Sequence, residues 1–257
     1  TFMTAHFSSS CLSQMIIKVG NQPWSICMVV GLRSETLASL EMRSASLRML
    51  VDALWLTPNT DLLPRLRSLE QCLIVTTPSN VLGIDSSKIA LAGDSAGGSL
   101  ANAVTIMQRD TGRIKLVIEM YPLVDAGPVP SEWSHDMYPC LPEQQEAAMS
   151  RTDRIKNASQ ELPGLYYQGR TALGYDPLIS ATYYARLCEF PRTVVVASEF
   201  DFLRYQDEAF AKKLSEEGVS VRCIRYLGCD HGFFETCGVM PQVEDLVNVM
   251  ADELNAL

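Results

Sequence analysis

The stretch Ile89-Ala-Leu-Ala-Gly-Asp-Ser-Ala-Gly-Gly-Ser-Leu100 limits what this chain can fold into more than any other. An apolar run ends in Gly93-Asp94-Ser95-Ala96-Gly97 and passes directly into a segment compatible with a helix. A G-x-S-x-G pattern between strand and helix specifies a sharp, strained turn that projects the serine hydroxyl. Gly93 and Gly97 remove Cβ atoms that would collide across such a turn, and Ser95 feels the positive end of the following helix. Ser95 is the candidate nucleophile, and the Ala96 backbone N–H is a candidate oxyanion donor. A glycine-rich turn with an idle serine is the alternative, and the residues downstream weigh against it.

From Leu82 onward strands and helices alternate. Lys88–Ala92 reads as a buried strand, and Ala96–Gln108 as a helix with Leu100, Ala101, Val104 and Met107 at three- and four-residue spacing. Leu116–Met120 is a second strand, ended by Tyr121-Pro122, and Thr193–Ala197 a third. Gln206–Glu217 is the next helix and Val219–Tyr226 the fourth strand. Gln242–Leu254 closes the chain as a helix with Val243, Leu246, Val247, Met250 and Leu254 inward. This alternation predicts one α/β domain over residues 1–257, with a mostly parallel sheet covered by helices on both faces. The stretch Gly127–Gly174 is Pro-rich, polar and without strand signals, which predicts a lid-like insertion with Trp133 and Tyr138 as pocket-facing aromatics.

In open parallel sheets the chemistry collects at strand C-termini. Ser198-Glu-Phe-Asp-Phe-Leu203 follows the third strand, and Leu227-Gly-Cys-Asp-His-Gly-Phe-Phe234 follows the fourth. The order Ser95, Asp201, His231 points to acyl transfer, with His231 as base and Asp201 fixing its tautomer. Rivals are few. His6 and His135 are the other histidines, and neither follows a buried strand, so surface roles are expected. Glu199 and Asp207 fit structural or wall positions better than the acid role, and Asp230 is expected to point away from the base.

A chain of 257 residues with 47% hydrophobic content is long enough for one sizeable core. A net charge of −9 without a basic cluster argues against nucleic acid and anionic membrane surfaces as partners. No apolar run is long enough to span a bilayer. The eight cysteines contain no C-x-x-C pair, so neither zinc nor a dithiol redox site is expected, and reduced thiols in a cytoplasmic protein are the simplest reading. No cofactor or metal is expected, only a small ester substrate. The start at Thr1 without Met, with no signal-peptide pattern, suggests a trimmed N-terminus.

Gly93-Asp-Ser-Ala-Gly-Gly98, Tyr121-Pro122, Asp176-Pro-Leu-Ile-Ser180, Glu199-Phe-Asp201 with Leu203, and His231-Gly-Phe233 together resemble the hormone-sensitive-lipase-like branch of the α/β-hydrolase fold. The resemblance covers about residues 82–257. It implies a carboxylesterase or lipase acting on short- to medium-chain acyl esters, with a cap over the acyl pocket. The family's H-G-G-G oxyanion loop and its Y-R-L-A-P-E segment are absent as written.

Residues 1–80 hold only two of the fifteen glycines, Gly20 and Gly31, and show poor periodicity and no clear strand alternation. A shifted codon frame accounts for this. If each new codon takes the third base of one codon and the first two of the next, Cys27-Met28 gives His or Tyr and Met28-Val29 gives Gly. The following pairs permit Gly, Gly and Phe, so Ile26–Leu32 can hide L-H-G-G-G-F, and Asn59–Arg65 can hide Y-R-L-A-P-E in the same register. Residues 1 to about 80 therefore read as an out-of-frame version of the family's N-terminal half, expected to be irregular or incomplete. An alternative to an active esterase follows: a catalytically impaired binding protein, or a defective gene product without the oxyanion loop.

Overall fold

The computed structural model describes residues 12–13, 27–33, 84–165, 171–236 and 238–257. Strands β1 (Leu12–Ser13), β2 (Cys27–Arg33), β3 (Ile84–Asp94), β4 (Ile114–Met120), β5 (Arg192–Ser198) and β6 (Val221–Tyr226) form one sheet in sequential order. β3 to β6 are parallel, whereas β1 and β2 join antiparallel beside β3, with Cys27 opposite Gly93 and Val30 opposite Ala90. Most of residues 1–80, His6 and the Asn59–Arg65 segment included, lie outside the described residues. The short run Cys-Met-Val-Val-Gly-Leu-Arg does form a strand, against the expectation of no clear strand there, because β-branched residues suit an extended backbone with a partner alongside.

Parallel strands need crossovers: α1 (Ala96–Gln108) links β3 to β4 and α3 (Arg204–Glu216) links β5 to β6, while α4 (Pro241–Asn255) follows β6 and packs back on the sheet. The side-chain period of two splits each central strand between two cores. Ala90, Ala92, Leu116, Ile118, Val194 and Val196 meet Val243, Leu246, Met250 and Leu254 of α4. Ile89, Leu91 and Val117 face the other way, onto Ala101 and Val104 of α1. In α4 the inward stripe shifts from the expected one: Val247 is only half-buried, while Val249 and Glu253 are buried. Glu253 ties the helix to the sheet edge through Arg192 and Arg222. β6 is the outer strand, and Arg222, Cys223 and Arg225 on it are exposed.

Between β4 and β5 the chain makes the long excursion expected from Gly127–Gly174. It carries a helix that its polar sequence concealed, α2 (Gln145–Leu165). Gln, Glu, Ala, Arg and Lys favour a helix here, and Ala148, Thr152 and Ile155 form its buried stripe at four- and three-residue spacing. Ile155 packs with Phe202 and Leu203 of the β5–α3 loop. The excursion thus rests on the loop that carries Asp201.

Candidate active site

Each chemical group arrives from a strand C-terminus. Ser95 follows β3 with φ 52° and ψ −120°, a conformation an L-residue adopts only at a cost of about 1–3 kcal/mol. The turn closes because residue 93 has no side chain, as a Cβ there would overlap the Gly97 carbonyl. The Ser95 N–H is held by the Met120 carbonyl at 2.8 Å, which pins the turn to β4. Helix α1 begins at Ala96, and its first hydrogen bonds run from the Gly98 and Ser99 N–H groups back to the Ser95 carbonyl at 3.0 and 3.3 Å, so the serine sits at the positive end of the helix.

The three residues singled out from the sequence meet in one hydrogen-bonded line. Ser95 Oγ lies 2.8 Å from His231 Nε2, and His231 Nδ1 lies 2.6 Å from Asp201 Oδ2. With the Nδ1–H donating to the carboxylate, Nε2 presents a lone pair to the serine hydroxyl. The other Asp201 oxygen accepts the Leu203 N–H at 3.0 Å, so the carboxylate cannot swing away without losing both bonds. Asp201 is fully buried and His231 nearly so, which strengthens these bonds and keeps water from competing. Chemically, the line can draw a proton from Ser95 and return it to a leaving group.

The rivals are disposed elsewhere. Glu199 accepts the Gly228 N–H at 2.7 Å, and Asp230 turns outward to Arg151 on α2 at 3.1 Å. His135, half-exposed, pairs with Asp153 at 3.0 Å. Asp207, in the first turn of α3, points into the core rather than to His231, and among the described residues neither of its oxygens has a hydrogen-bond partner. The expectation that Trp133 and Tyr138 face a pocket gives way to packing. Tyr138 is 1% exposed, accepts the Trp133 indole N–H at 3.0 Å and donates to the Phe202 carbonyl at 3.3 Å. Thr152 of α2 reaches the Phe200 carbonyl at 3.1 Å, and Arg204 reaches the Met137 carbonyl. These contacts clamp the excursion onto the Asp201 loop.

Two buried acids near this loop lay unremarked as a pair in the sequence. Glu119, in the apolar strand β4, accepts from Asn102 of α1 at 2.5 Å, and burial pushes its carboxyl up to about 8. Burial, reinforced by Asp201 and Glu119, also holds the Asp207 carboxyl well above the carboxylate range. Both are protonated in the folded protein where the unfolded chain would ionise them. The stabilising contribution of Glu119 is therefore complete below about pH 4.5 and is lost as pH rises towards about 8, and that of Asp207 is lost in the same direction. Urea unfolding at pH 5 and pH 8 is expected to show a lower midpoint at pH 8, and Glu119→Gln should shrink that difference. An unchanged difference in the variant would refute the assignment.

Among the described residues no group of His, Cys, Asp and Glu could hold a metal ion, and no helix is long and apolar enough to cross a membrane. Cys140, Cys188, Cys223 and Cys229 are free thiols.

Comparison with known proteins agrees with this architecture. Residues 51–235 match the profile of a family described as having the alpha/beta hydrolase fold, so the match begins within the stretch that the motifs had left outside the resemblance. The chain is 30% identical over 182 residues to an arylesterase of Saccharolobus solfataricus, covering 67% of this chain and 53% of that protein. It is 31% identical over 164 residues to carboxylesterase NlhH of Mycobacterium tuberculosis, covering 62% and 48% respectively. The chain thus spans about half the length of these relatives. Among solved structures, a hyperthermophilic esterase from Pyrobaculum calidifontis superposes with a TM-score of 0.66 at 21% identity, covering 95% of this chain and 85% of that one.

Proposed function

We propose, since the chain belongs to the α/β-hydrolase fold family, that it is a serine carboxylic ester hydrolase acting on short- to medium-chain acyl esters. The observation that carries this reading is the Ser95–His231–Asp201 line, with 2.8 Å and 2.6 Å contacts, at the start of α1. In this reading His231 removes the Ser95 proton as the hydroxyl attacks the ester carbonyl. The tetrahedral oxyanion forms against the Ala96 N–H, and the leaving alcohol takes the proton back from His231. Asp201 stabilises the imidazolium between those steps. Water then repeats the cycle on the acyl-enzyme and releases the acid. The 127–174 excursion acts as a cap over the acyl site, supported by its clamp on the Asp201 loop.

An organophosphonate ester should label Ser95, and Ser95→Ala should abolish the labelling. Labelling at another serine, or equal labelling of the variant, would overturn the nucleophile assignment. A panel of p-nitrophenyl esters of rising acyl length checks the substrate class, with turnover expected to peak at the short to medium end.

A second reading rests on a specific feature of the sequence, the missing H-G-G-G loop. An α/β-hydrolase-like protein without it would bind esters and turn them over poorly, since loss of one oxyanion donor costs about 10²–10³ in rate.

A further inference from the structure

The dipeptide Tyr121-Pro122 ends β4, and Tyr121 is a fully buried, non-glycine residue at φ 39°. A bulky side chain enters the left-handed region only where its surroundings over-determine it. Here they do so from three directions. The Tyr121 N–H donates to the Val196 carbonyl of β5 at 2.6 Å, and the preceding carbonyl, on Met120, holds the Ser95 N–H at 2.8 Å. One peptide unit therefore ties the strand leading to Asp201 to the turn carrying Ser95. The Tyr121 hydroxyl donates to Asp94 Oδ2 at 3.4 Å, and the Tyr121 phenol oxygen accepts the Phe234 backbone N–H. The ring packs on the His231 imidazole, with centroids 4.9 Å apart and planes at 60°, and edge-on to Phe233 at 5.6 Å.

The imidazole needs such a neighbour. Its bonds to Asp201 and Ser95 leave from the two ring nitrogens, and the remaining tilt of the ring, which the side-chain torsions allow, is opposed by what packs against the ring faces. We propose that Tyr121 is the positioning residue for the His231 base, holding the imidazole plane in register with Ser95 while its hydroxyl fastens the His231 loop to the nucleophile turn. This rests on the Ser95–His231–Asp201 reading. Burial, with the Asp94 charge second, keeps the phenol protonated, so the hydroxyl remains a donor throughout turnover.

The test compares Tyr121→Phe, which keeps the ring and loses the hydroxyl, with Tyr121→Leu, which loses both. Each is assayed for kcat, KM, the rate of Ser95 phosphonylation and cooperative unfolding. Small displacements of a catalytic group cost up to about 10²-fold, so Tyr121→Leu is expected to lower kcat by roughly that factor and Tyr121→Phe by about tenfold. KM should stay within about twofold, and phosphonylation should slow in parallel with kcat. A folded Tyr121→Leu protein with the parent kcat would overturn the proposal. If that variant does not fold, Tyr121→Phe with unchanged kcat and labelling rate would overturn it equally. Loss of activity that follows only the folded fraction, with KM and labelling per folded molecule unchanged, would make Tyr121 merely structural. Activity surviving Ser95→Ala would instead defeat the underlying triad reading, which separates the two failures.

Discussion

His231→Ala is expected to lower ester turnover by at least about 10³-fold while KM changes little, because triad members act as a unit and substrate binding does not use the base. In the parent chain the imidazole is the acceptor 2.8 Å from the Ser95 hydroxyl, and among the described residues the other histidine, His135, is bound to Asp153 on the excursion. Asp201→Asn should cost about 10³–10⁴ in kcat, because the amide either offers its N–H to Nδ1 or selects the wrong tautomer. Asp207→Asn should leave kcat within about tenfold, as its oxygens are neutral in the fold and make no contact with the base. Steady-state kinetics on the three variants decides the matter. Activity lost in Asp207→Asn and kept in Asp201→Asn would transfer the acid role to Asp207.

The second large effect concerns residues 1–80. A chain re-coded so that Ile26–Leu32 and Asn59–Arg65 express the hidden L-H-G-G-G-F and Y-R-L-A-P-E segments should hydrolyse a p-nitrophenyl short-chain ester about 10²–10³ faster. The gain has a defined source. Residues 84–257 already hold the serine, base and acid within 2.8 Å and 2.6 Å contacts, so the re-coded half adds only oxyanion donors and sheet. The same change should sharpen thermal unfolding, since glycines placed at loops replace a segment that holds only Gly20 and Gly31. Turnover near about 10 s⁻¹ by the chain as it stands, with a cooperative transition, would show that a loop within residues 1–80 already supplies the donors. Reading the nucleotides across those codons checks the same inference without an assay.

Local rules determined much of this protein. The helix α1 has the bounds its spacing predicted, Ala96–Gln108, and the strands β4 and β5 contain the apolar runs expected for them, while β3 begins four residues earlier than expected, at Ile84. The Ser95 turn was legible because Gly93 leaves room beside the Gly97 carbonyl that a Cβ would fill, a constraint written into the G-x-S-x-G spacing. Asp201 and His231 were legible because strand ends in a parallel sheet converge on one rim. Helix α2 was missed, as its buried stripe of Ala148, Thr152 and Ile155 is short and only partly apolar, and its burial comes from Phe202 and Leu203 about fifty residues away.

What tertiary structure alone decided is the company each group keeps. Asp201 and Asp207 are six positions apart and equally acidic in sequence, but one lies in the loop facing His231 and the other is turned inward by the first turn of α3. Glu119 is an anomaly in an apolar strand until α1 brings Asn102 to it, and only that burial makes it a neutral acid. Tyr121 reads as a strand terminator, and its contact with His231 exists because residues 110 positions apart meet at the rim of the sheet. Sequence fixes what is set by neighbours along the chain, through sterics and periodicity. Protonation, orientation and role depend on desolvation and on partners supplied by distant segments, and those arise only when the chain has folded.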